Sequence, residues 1–243
     1  MKLIRELIKR VVIKDNDVYA LSVSKQFIII NNNYSGLLIY DLKLNFIKKI
    51  EISKELMIYE LYSSKIDDKI VIFDGEHQKL YILDLYLESN IVSIDRDEIF
   101  LNYFKSCKNS FMLRDNKFEY QFSFTKGNEI SCKPYKYQHV LFMNNTQILI
   151  EEKRELYLLQ EDEKTRIKRE YHDDWFYVIS DDYIIEYDEK FIKIVPKTLD
   201  EMCISSKSGW TFREVLLNDG ILTILINSKA DAKESQILQY KIK

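Results

Sequence analysis

Phe27-Ile-Ile-Ile-Asn-Asn-Asn-Tyr-Ser-Gly-Leu-Leu-Ile-Tyr40 is the stretch that decides the fold of this chain. An apolar run from Phe27 to Ile30 meets a short polar stretch, Asn31 to Ser35, and a second apolar run follows from Leu37 to Tyr40. Isoleucine and aromatic residues favour strands, whereas asparagine, serine and glycine favour tight turns. The stretch therefore predicts a β-hairpin.

The same pattern returns along the rest of the chain. The other apolar pairs are Ile70-Phe73 with Leu80-Leu83, Phe111-Leu113 with Phe118-Phe122, Ile148-Ile150 with Leu156-Leu159, Tyr183-Ile185 with Phe191-Val195, and Leu222-Ile226 with Ile237-Tyr240. The first strands begin at residues 27, 70, 111, 148, 183 and 222, so successive hairpins are 35 to 43 residues apart. A hairpin that repeats about every 40 residues is typical of β-propeller blades. The spacing predicts an all-β, six-bladed propeller that occupies residues 1–243 as a single domain.

Further strand-like runs flank each hairpin, which predicts four antiparallel strands per blade. The sixth blade has no outer strand at the C-terminal end of the sequence. Leu7-Ile13 matches Phe46-Ile52, the outer strand of the first blade, residue by residue. We therefore expect the N-terminal strand to complete the last blade, so that no sheet edge stays open. An amphipathic helix is the alternative, because apolar residues between Leu3 and Val11 also fall on one helix face.

The composition fits a single β-domain with a solvated exterior. Hydrophobic residues make up 46% of the chain and charged residues 31%, and the net charge is −3. This balance gives no reason to expect a nucleic-acid or membrane partner. The sequence has only 5 glycines and 2 prolines. Its turns must therefore use asparagine, aspartate, lysine and glutamate, which tolerate turn conformations or bond to the local backbone.

The three cysteines, Cys107, Cys132 and Cys203, are far apart and odd in number. We expect them to be free thiols that face the core, as in a reducing compartment. Charged residues interrupt the N-terminal apolar residues, so no signal peptide or membrane span is expected. These features predict a cytoplasmic protein, and the abundance of Ile, Lys, Asn and Tyr is typical of an AT-rich bacterial gene.

Two short motifs resemble a known family. Tyr40-Asp41-Leu42 and Leu83-Asp84-Leu85 are similar to the end of the third strand in blades of WD40-like and quinoprotein-like propellers. The chain has no Gly-His and Trp-Asp pair, no kelch double glycine and no Asp-box. The resemblance therefore implies the architecture and no particular activity, since one fold hosts many functions.

No motif in the sequence names a reaction. His77, His139 and His172 occupy unrelated positions in their repeats, so we expect no metal centre and no cofactor. The glycines are isolated, and no nucleophile elbow is present. The arginines fall at unrelated blade positions, unlike the cluster that holds a carboxylate in sialidase propellers. The sequence therefore predicts that the chain is not an enzyme and has no catalytic residues.

Acidic and aromatic residues interleave in one part of the chain. They do so in Tyr171-Tyr177 and again in Asp181-Glu189. Aromatic residues beside acids are typical of a protein-binding hot spot that meets a basic partner. The alternative is structural: Phe176 and Tyr183 would fill the core while the acids lie in solvated turns.

Propeller topology predicts where these residues meet. Turns between the second and third strands lie on the same rim as the connections between blades. This rim is rich in acids and asparagine and carries two tryptophans near the predicted channel mouth, although burial of both tryptophans between blades is an equal alternative. The predicted partner-binding residues are Tyr34, Glu76, His77, Asp173, Asp174, Trp175, Asp188, Glu189 and Trp210.

The leading hypothesis is therefore a cytoplasmic, non-enzymatic binding protein. In its most specific form it is an intracellular inhibitor, an immunity protein that covers the active site of a basic, nuclease-type bacterial toxin. The rim acids would pair with the cationic groove of the toxin and speed association. On this hypothesis no small-molecule ligand is expected. The alternatives are a glycan- or small-molecule-active, hydrolase-like propeller that uses its central channel, and a scaffold subunit of a bacterial complex.

Overall fold

A computed structural model describes most of residues 6–242. The positions outside this description are 16, 64–68, 78, 86–91, 96–103, 108–109, 115–118, 125–129, 135–138, 144–145, 162, 181, 197–200 and 230–232. At position 60 and in the strands between residues 92 and 134 it describes the backbone alone. In the part of the chain so described, no helix has the length and hydrophobicity needed to cross a membrane.

The described residues form β-strands joined by turns. The first nine strands are β1 (Glu6–Ile13), β2 (Leu21–Val23), β3 (Phe27–Asn32), β4 (Gly36–Asp41), β5 (Phe46–Glu51), β6 (Ile58–Ser63), β7 (Lys69–Asp74), β8 (Lys79–Asp84) and β9 (Val92–Asp95). The next eight are β10 (Phe104–Cys107), β11 (Ser110–Arg114), β12 (Glu119–Phe124), β13 (Ile130–Pro134), β14 (Val140–Met143), β15 (Gln147–Glu152), β16 (Glu155–Gln160) and β17 (Glu163–Glu170). The last seven are β18 (Phe176–Ile179), β19 (Tyr183–Tyr187), β20 (Phe191–Pro196), β21 (Met202–Ser205), β22 (Trp210–Asn218), β23 (Ile221–Ser228) and β24 (Ser235–Lys241).

These strands pair into six four-stranded antiparallel sheets within the described residues. Sheets one to five each take four consecutive strands: β2–β5, β6–β9, β10–β13, β14–β17 and β18–β21. Sheet six has the order β1-β24-β23-β22. Every hairpin predicted from the sequence therefore lies in a four-stranded sheet.

The chain divides into two compact units. The first unit contains residues 1–56 and 174–243, and with them sheets one, five and six. Here β22, the first strand of its sheet, contacts β2 and β18, which are the first strands of theirs. The second unit contains residues 57–173, and β10 contacts β6 and β14 in the same way.

Neighbouring sheets that meet at their first strands are typical of propeller blades. The fold is an all-β propeller of four-stranded antiparallel blades, as predicted. That the six sheets close into one ring of six blades, and that the chain is one domain, stay predictions.

The N-terminal segment is a strand, which confirms the predicted closing strand and excludes the helix at this position. β1 pairs antiparallel with β24, from Glu6 opposite Lys241 to Ile13 opposite Ser235. A bulge interrupts the pairing between Leu7 and Lys9. Sheet six is thus built from both ends of the described chain.

The two faces of sheet six have different neighbours. One face packs on sheet one, where Val11 and Ile13 of β1 join buried residues such as Ile28, Leu225 and Ile237 in one hydrophobic cluster. Burial of apolar area contributes about 25 cal/mol per Å², so this cluster stabilises the first unit. The other face of sheet six lines a cleft, which is described below.

Buried polar residues hold the predicted rim ends of several sheets. Asn31, near the end of β3, accepts hydrogen bonds from the backbone nitrogens of Tyr19 and Ala20 at 2.8 and 2.9 Å. Its side-chain amide also donates to the carbonyl of Asp17 at 2.6 Å. Asn227 of β23 donates to the carbonyl of Val18 at 2.8 Å. Such bonds satisfy backbone groups that leave the sheet ladder.

Most turns form without glycine, as the composition predicts. Lys153 and Arg154 connect β15 to β16 with φ angles of 54° and 66°. Two consecutive residues with positive φ are the requirement of the tight hairpin turn that matches strand twist. One cysteine prediction is wrong: Cys203 is free but exposed, because it lies on the outer strand β21. The side chains of Cys107 and Cys132 lie outside the described residues.

Candidate partner-binding surface

The predicted binding residues all lie in or beside loops. Each is in a turn between the second and third strands of a sheet, in a connection between two sheets, or at the end of a strand next to such a loop. Those in the first unit are Tyr34, Asp174, Trp175, Asp188, Glu189 and Trp210, and those in the second are Glu76, His77 and Asp173. The two groups are described separately.

The end of sheet five carries exposed aromatic rings. Phe176 is 55% exposed and Phe191 is 41% exposed. Phe176 stacks on Tyr187, with ring centroids 5.3 Å apart and an interplanar angle of 27°. Tyr187 is buried, and its hydroxyl donates to Glu214 Oε1 at 2.8 Å. We call Trp175, Phe176, Tyr187 and Phe191 the aromatic end of sheet five.

The two tryptophans, Trp175 and Trp210, are half-buried. They are therefore neither fully exposed on the rim nor fully buried between sheets, which were the two alternatives. Trp175 lies under Lys193, whose Nζ is 4.3 Å from the ring centroid, a cation–π distance. Trp210 begins β22 and lines the cleft on the open face of sheet six. Each ring therefore keeps part of its surface available to a ligand or partner.

Two predicted acids shape the turn between β19 and β20. Asp188 Oδ1 accepts hydrogen bonds from the backbone nitrogens of Lys190 and Phe191, at 2.7 and 2.6 Å. The carbonyl of Glu189 accepts from the backbone nitrogen of Phe212 at 2.9 Å. This turn is therefore tied both to itself and to the first strand of sheet six.

Cations compensate predicted binding acids in both units. Glu189 lies 3.5 Å from Arg213 Nη1 and 3.5 Å from Lys229 Nζ. In the second unit, Asp173 Oδ2 lies 3.0 Å from Arg154 Nη2. Asp174 is exposed. The charge at these turns is thus mixed and not uniformly acidic as the sequence predicts.

The end of sheet two contains a different cluster. The carboxylate of Asp74 is fully buried, and its Oδ2 lies 2.8 Å from Nδ1 of the half-exposed His77. Tyr59 is 51% exposed, and its hydroxyl donates to Glu76 Oε1 at 2.8 Å. The hydrogen bond to Glu76 raises the pKa of Tyr59 above its ordinary value. Glu76 therefore bonds to β6, and His77 bonds to the end of β7 in its own turn.

Tyr34 lies in the turn between β3 and β4 of sheet one. It is 39% exposed, and its carbonyl accepts a hydrogen bond from the backbone nitrogen of Leu56 at 2.9 Å. The preceding Asn33 has a φ of 48°, a left-handed conformation that asparagine tolerates. The turn presents its ring from a fixed backbone.

The exposure of Phe176 is the feature that the sequence does not reveal. In β18 it alternates with Val178, which is buried, so periodicity alone places the phenylalanine in the core. Phe176 is exposed because it is the first residue of the strand, at the end of the sheet. The alternative in which Phe176 and Tyr183 fill the core is therefore wrong for Phe176. Tyr183 is half-buried.

No metal site emerges from the described residues, where no group of three His, Cys, Asp or Glu side chains is close enough to hold an ion. His77 contacts the buried Asp74, and His139 Nδ1 lies 3.5 Å from Glu151 Oε2. Both histidines therefore meet acids near the ends of second strands.

Comparisons with known proteins show the fold alone. No family model and no curated protein matches the sequence. Virginiamycin B lyase from Staphylococcus aureus is similar in structure, with a TM-score of 0.58, 10% identity, and coverage of 97% of this chain and 99% of that one. A streptogramin B lyase gives a TM-score of 0.56 at 9% identity, over 99% of this chain and 87% of that one. Hsv2 from Kluyveromyces lactis gives 0.58 at 10% identity, over 87% and 72%.

These similarities correct one expectation. Virginiamycin B lyase is an enzyme, and it has the same fold as this chain. The exclusion of enzymatic activity from the sequence is therefore wrong, because neither a propeller fold nor the lack of a familiar motif excludes catalysis.

Proposed function

We propose that this propeller binds another protein through the aromatic end of sheet five. The observation that carries the proposal is the exposure of Phe176, more than half of which faces solvent while its ring stacks on the buried Tyr187. An exposed phenylalanine ring makes no hydrogen bonds with water, and its burial at an interface is a common source of binding free energy.

The support beneath Phe176 favours binding. Tyr187 holds the ring from below, and Glu214 of sheet six in turn holds the Tyr187 hydroxyl. A ring that is already ordered loses little conformational freedom when a partner covers it. Phe191 and Trp175 lie at the same end of sheet five, and their charged neighbours would form a polar rim.

The specific partner that we propose is a basic, nuclease-type toxin domain, for which the chain would be an intracellular inhibitor. The exposed Asp174, directly before Trp175, is the residue of this surface that supports a basic partner. The charge of Glu189 is already partly compensated by its cationic neighbours, so the acids would add little to the final affinity. They would mainly affect the rate of association, and the aromatic rings would mainly affect the rate of release.

The aromatic part of the proposal is tested by capturing the partner from the native cell and measuring its affinity for purified variants. We expect Phe176→Ala to weaken binding by about tenfold or more, the effect of losing about 1.4 kcal/mol. Phe46→Ala is the matched control, because Phe46 is 58% exposed on the outer strand β5, outside the aromatic end. Equal effects of the two variants, or none from Phe176→Ala, would refute the proposed surface.

The toxin part is tested with the double variant Asp173→Lys, Asp174→Lys. Against a basic partner, it should slow association at low ionic strength, and added salt should reduce the difference from the wild type. An unchanged association rate with a normal effect of Phe176→Ala would retain the surface and reject the basic partner.

A further inference from the structure

A cleft of about 360 Å³ opens on the face of sheet six that does not pack on sheet one. Its wall on sheet six includes Arg10 of β1, Tyr240 of β24, and Trp210 and Phe212 of β22. Residues 204–207 of β21 and the connection that follows form the other side. The cleft therefore lies between sheets five and six of the first unit.

Strand lengths explain why the face is open. β21 has four residues, whereas the outer strand β1 has eight. Sheet five is thus too short at its outer strand to cover the outer part of sheet six. Leu7 and Val12 of β1 remain 49% and 45% exposed as a result.

The charged residues that line the cleft all have the same sign. They are Arg10 and Lys207, and none of the described lining residues carries a carboxylate. Neither cation forms an ion pair with a described residue. Two cations at an apolar cleft, with no carboxylate among its lining residues, favour an anionic ligand, because the ligand can supply the opposite charge.

The remaining lining residues favour a flat organic body. Trp210, Phe212 and Tyr240 offer rings, and Gln236 is a buried polar side chain whose amide donates to Glu234 Oε1 at 2.7 Å. A few polar groups in a mainly apolar cleft are typical of small-molecule sites, and the volume lies near the lower end of their range of roughly 300–1,000 Å³.

We infer that this cleft binds a small organic anion, a flat ring system that carries one carboxylate or phosphate group. The ring would lie against Trp210 and Phe212, which are neighbours on one face of β22, and the anionic group would contact Arg10 and Lys207. This site is separate in chemistry from the proposed partner surface. Residues 10 and 207 are far apart in sequence, so no sequence motif points to this site.

The test compares three ring-matched probes by tryptophan fluorescence and isothermal titration calorimetry: naphthoate, naphthyl phosphate and the neutral naphthamide. We expect at least one anion to bind about tenfold or more tightly than naphthamide, and added salt to weaken that preference. The anion that binds more tightly identifies carboxylate or phosphate as the preferred group. If naphthoate and naphthyl phosphate bind equally well, the site recognises negative charge and does not distinguish the two groups.

The double variant Arg10→Gln, Lys207→Gln should remove the preference for the anions and leave the affinity for naphthamide unchanged. Lys25→Gln, Lys168→Gln is the charge-matched control, since both lysines are exposed and outside the cleft. Circular dichroism confirms that both variants are folded. The inference fails if no anion binds, if naphthamide binds equally well, or if the control pair has the same effect.

Discussion

The ends of sheet two and sheet five use similar residues in opposite ways. At the end of sheet two, Tyr59 bonds to Glu76 and His77 bonds to the buried Asp74, so the polar groups satisfy one another. At the end of sheet five, Phe176 has no polar group to satisfy and remains 55% exposed. Acids and aromatic rings are close together in both places.

The difference shows that composition alone does not identify a binding surface. The hydroxyl of a tyrosine can form a hydrogen bond with a nearby acid, and the ring is then exposed for a structural reason. A phenylalanine at the same kind of position has only its apolar face to offer. The end of sheet five is therefore the better candidate surface of the two.

The largest effect is expected from truncating a phenylalanine in each sheet. Phe73 of sheet two is 1% exposed, so Phe73→Ala should lower the free energy of unfolding by about 3–5 kcal/mol. Phe176→Ala should lower it by about 1 kcal/mol or less, because most of the ring is already in water. Urea denaturation measures both. A loss of several kcal/mol for Phe176→Ala would mean that the ring serves stability and not binding.

A smaller effect on stability is expected from substituting one acid in each sheet, Asp74 in sheet two and Asp188 in sheet five. Asp74→Asn should lower the free energy of unfolding by about 1–3 kcal/mol, because a buried acceptor of a histidine hydrogen bond loses its charge. Asp188→Asn should change it by about 0.5 kcal/mol or less, because asparagine keeps the oxygen that accepts from the turn backbone. Similar losses in the two variants would contradict the distinction between a buried and a solvated turn.

The smallest effect concerns pH. The hydrogen bond to Glu76 raises the pKa of Tyr59 above its ordinary value of 10.0. The bond therefore adds stability below that ordinary pKa, and the contribution is lost as the pH rises through the higher value in the folded protein. Ultraviolet absorbance of the wild type minus that of Tyr59→Phe isolates this titration. Glu76→Gln should move its midpoint back toward 10.0, and an unchanged midpoint would remove the assigned cause.

The strands and the closing segment are predictable from sequence because their signals are local. Apolar runs around polar turns locate every hairpin, and the match of Leu7-Ile13 to the outer strand of the first blade predicts the pairing of β1 with β24.

The candidate site is less predictable because its decisive features are tertiary. Exposure of Phe176 depends on its position at the end of a sheet, and the compensation of Glu189 depends on Arg213 and Lys229 from another sheet. The cleft brings together Arg10 of sheet six and Lys207 from the connection after sheet five. Neither periodicity nor spacing contains that information.

The pairing of β1 with β24 has a consequence for biosynthesis. Asp15, just after β1, bonds through its carbonyl to Ser235, which is 220 residues further along the chain. At about 5–20 residues per second, the ribosome needs roughly 10–45 s to make that interval. During this time the first strand has no partner, and its apolar side chains are open to other nascent chains. Lys9, Arg10 and Lys14 place positive charge along and beside it, which discourages premature aggregation.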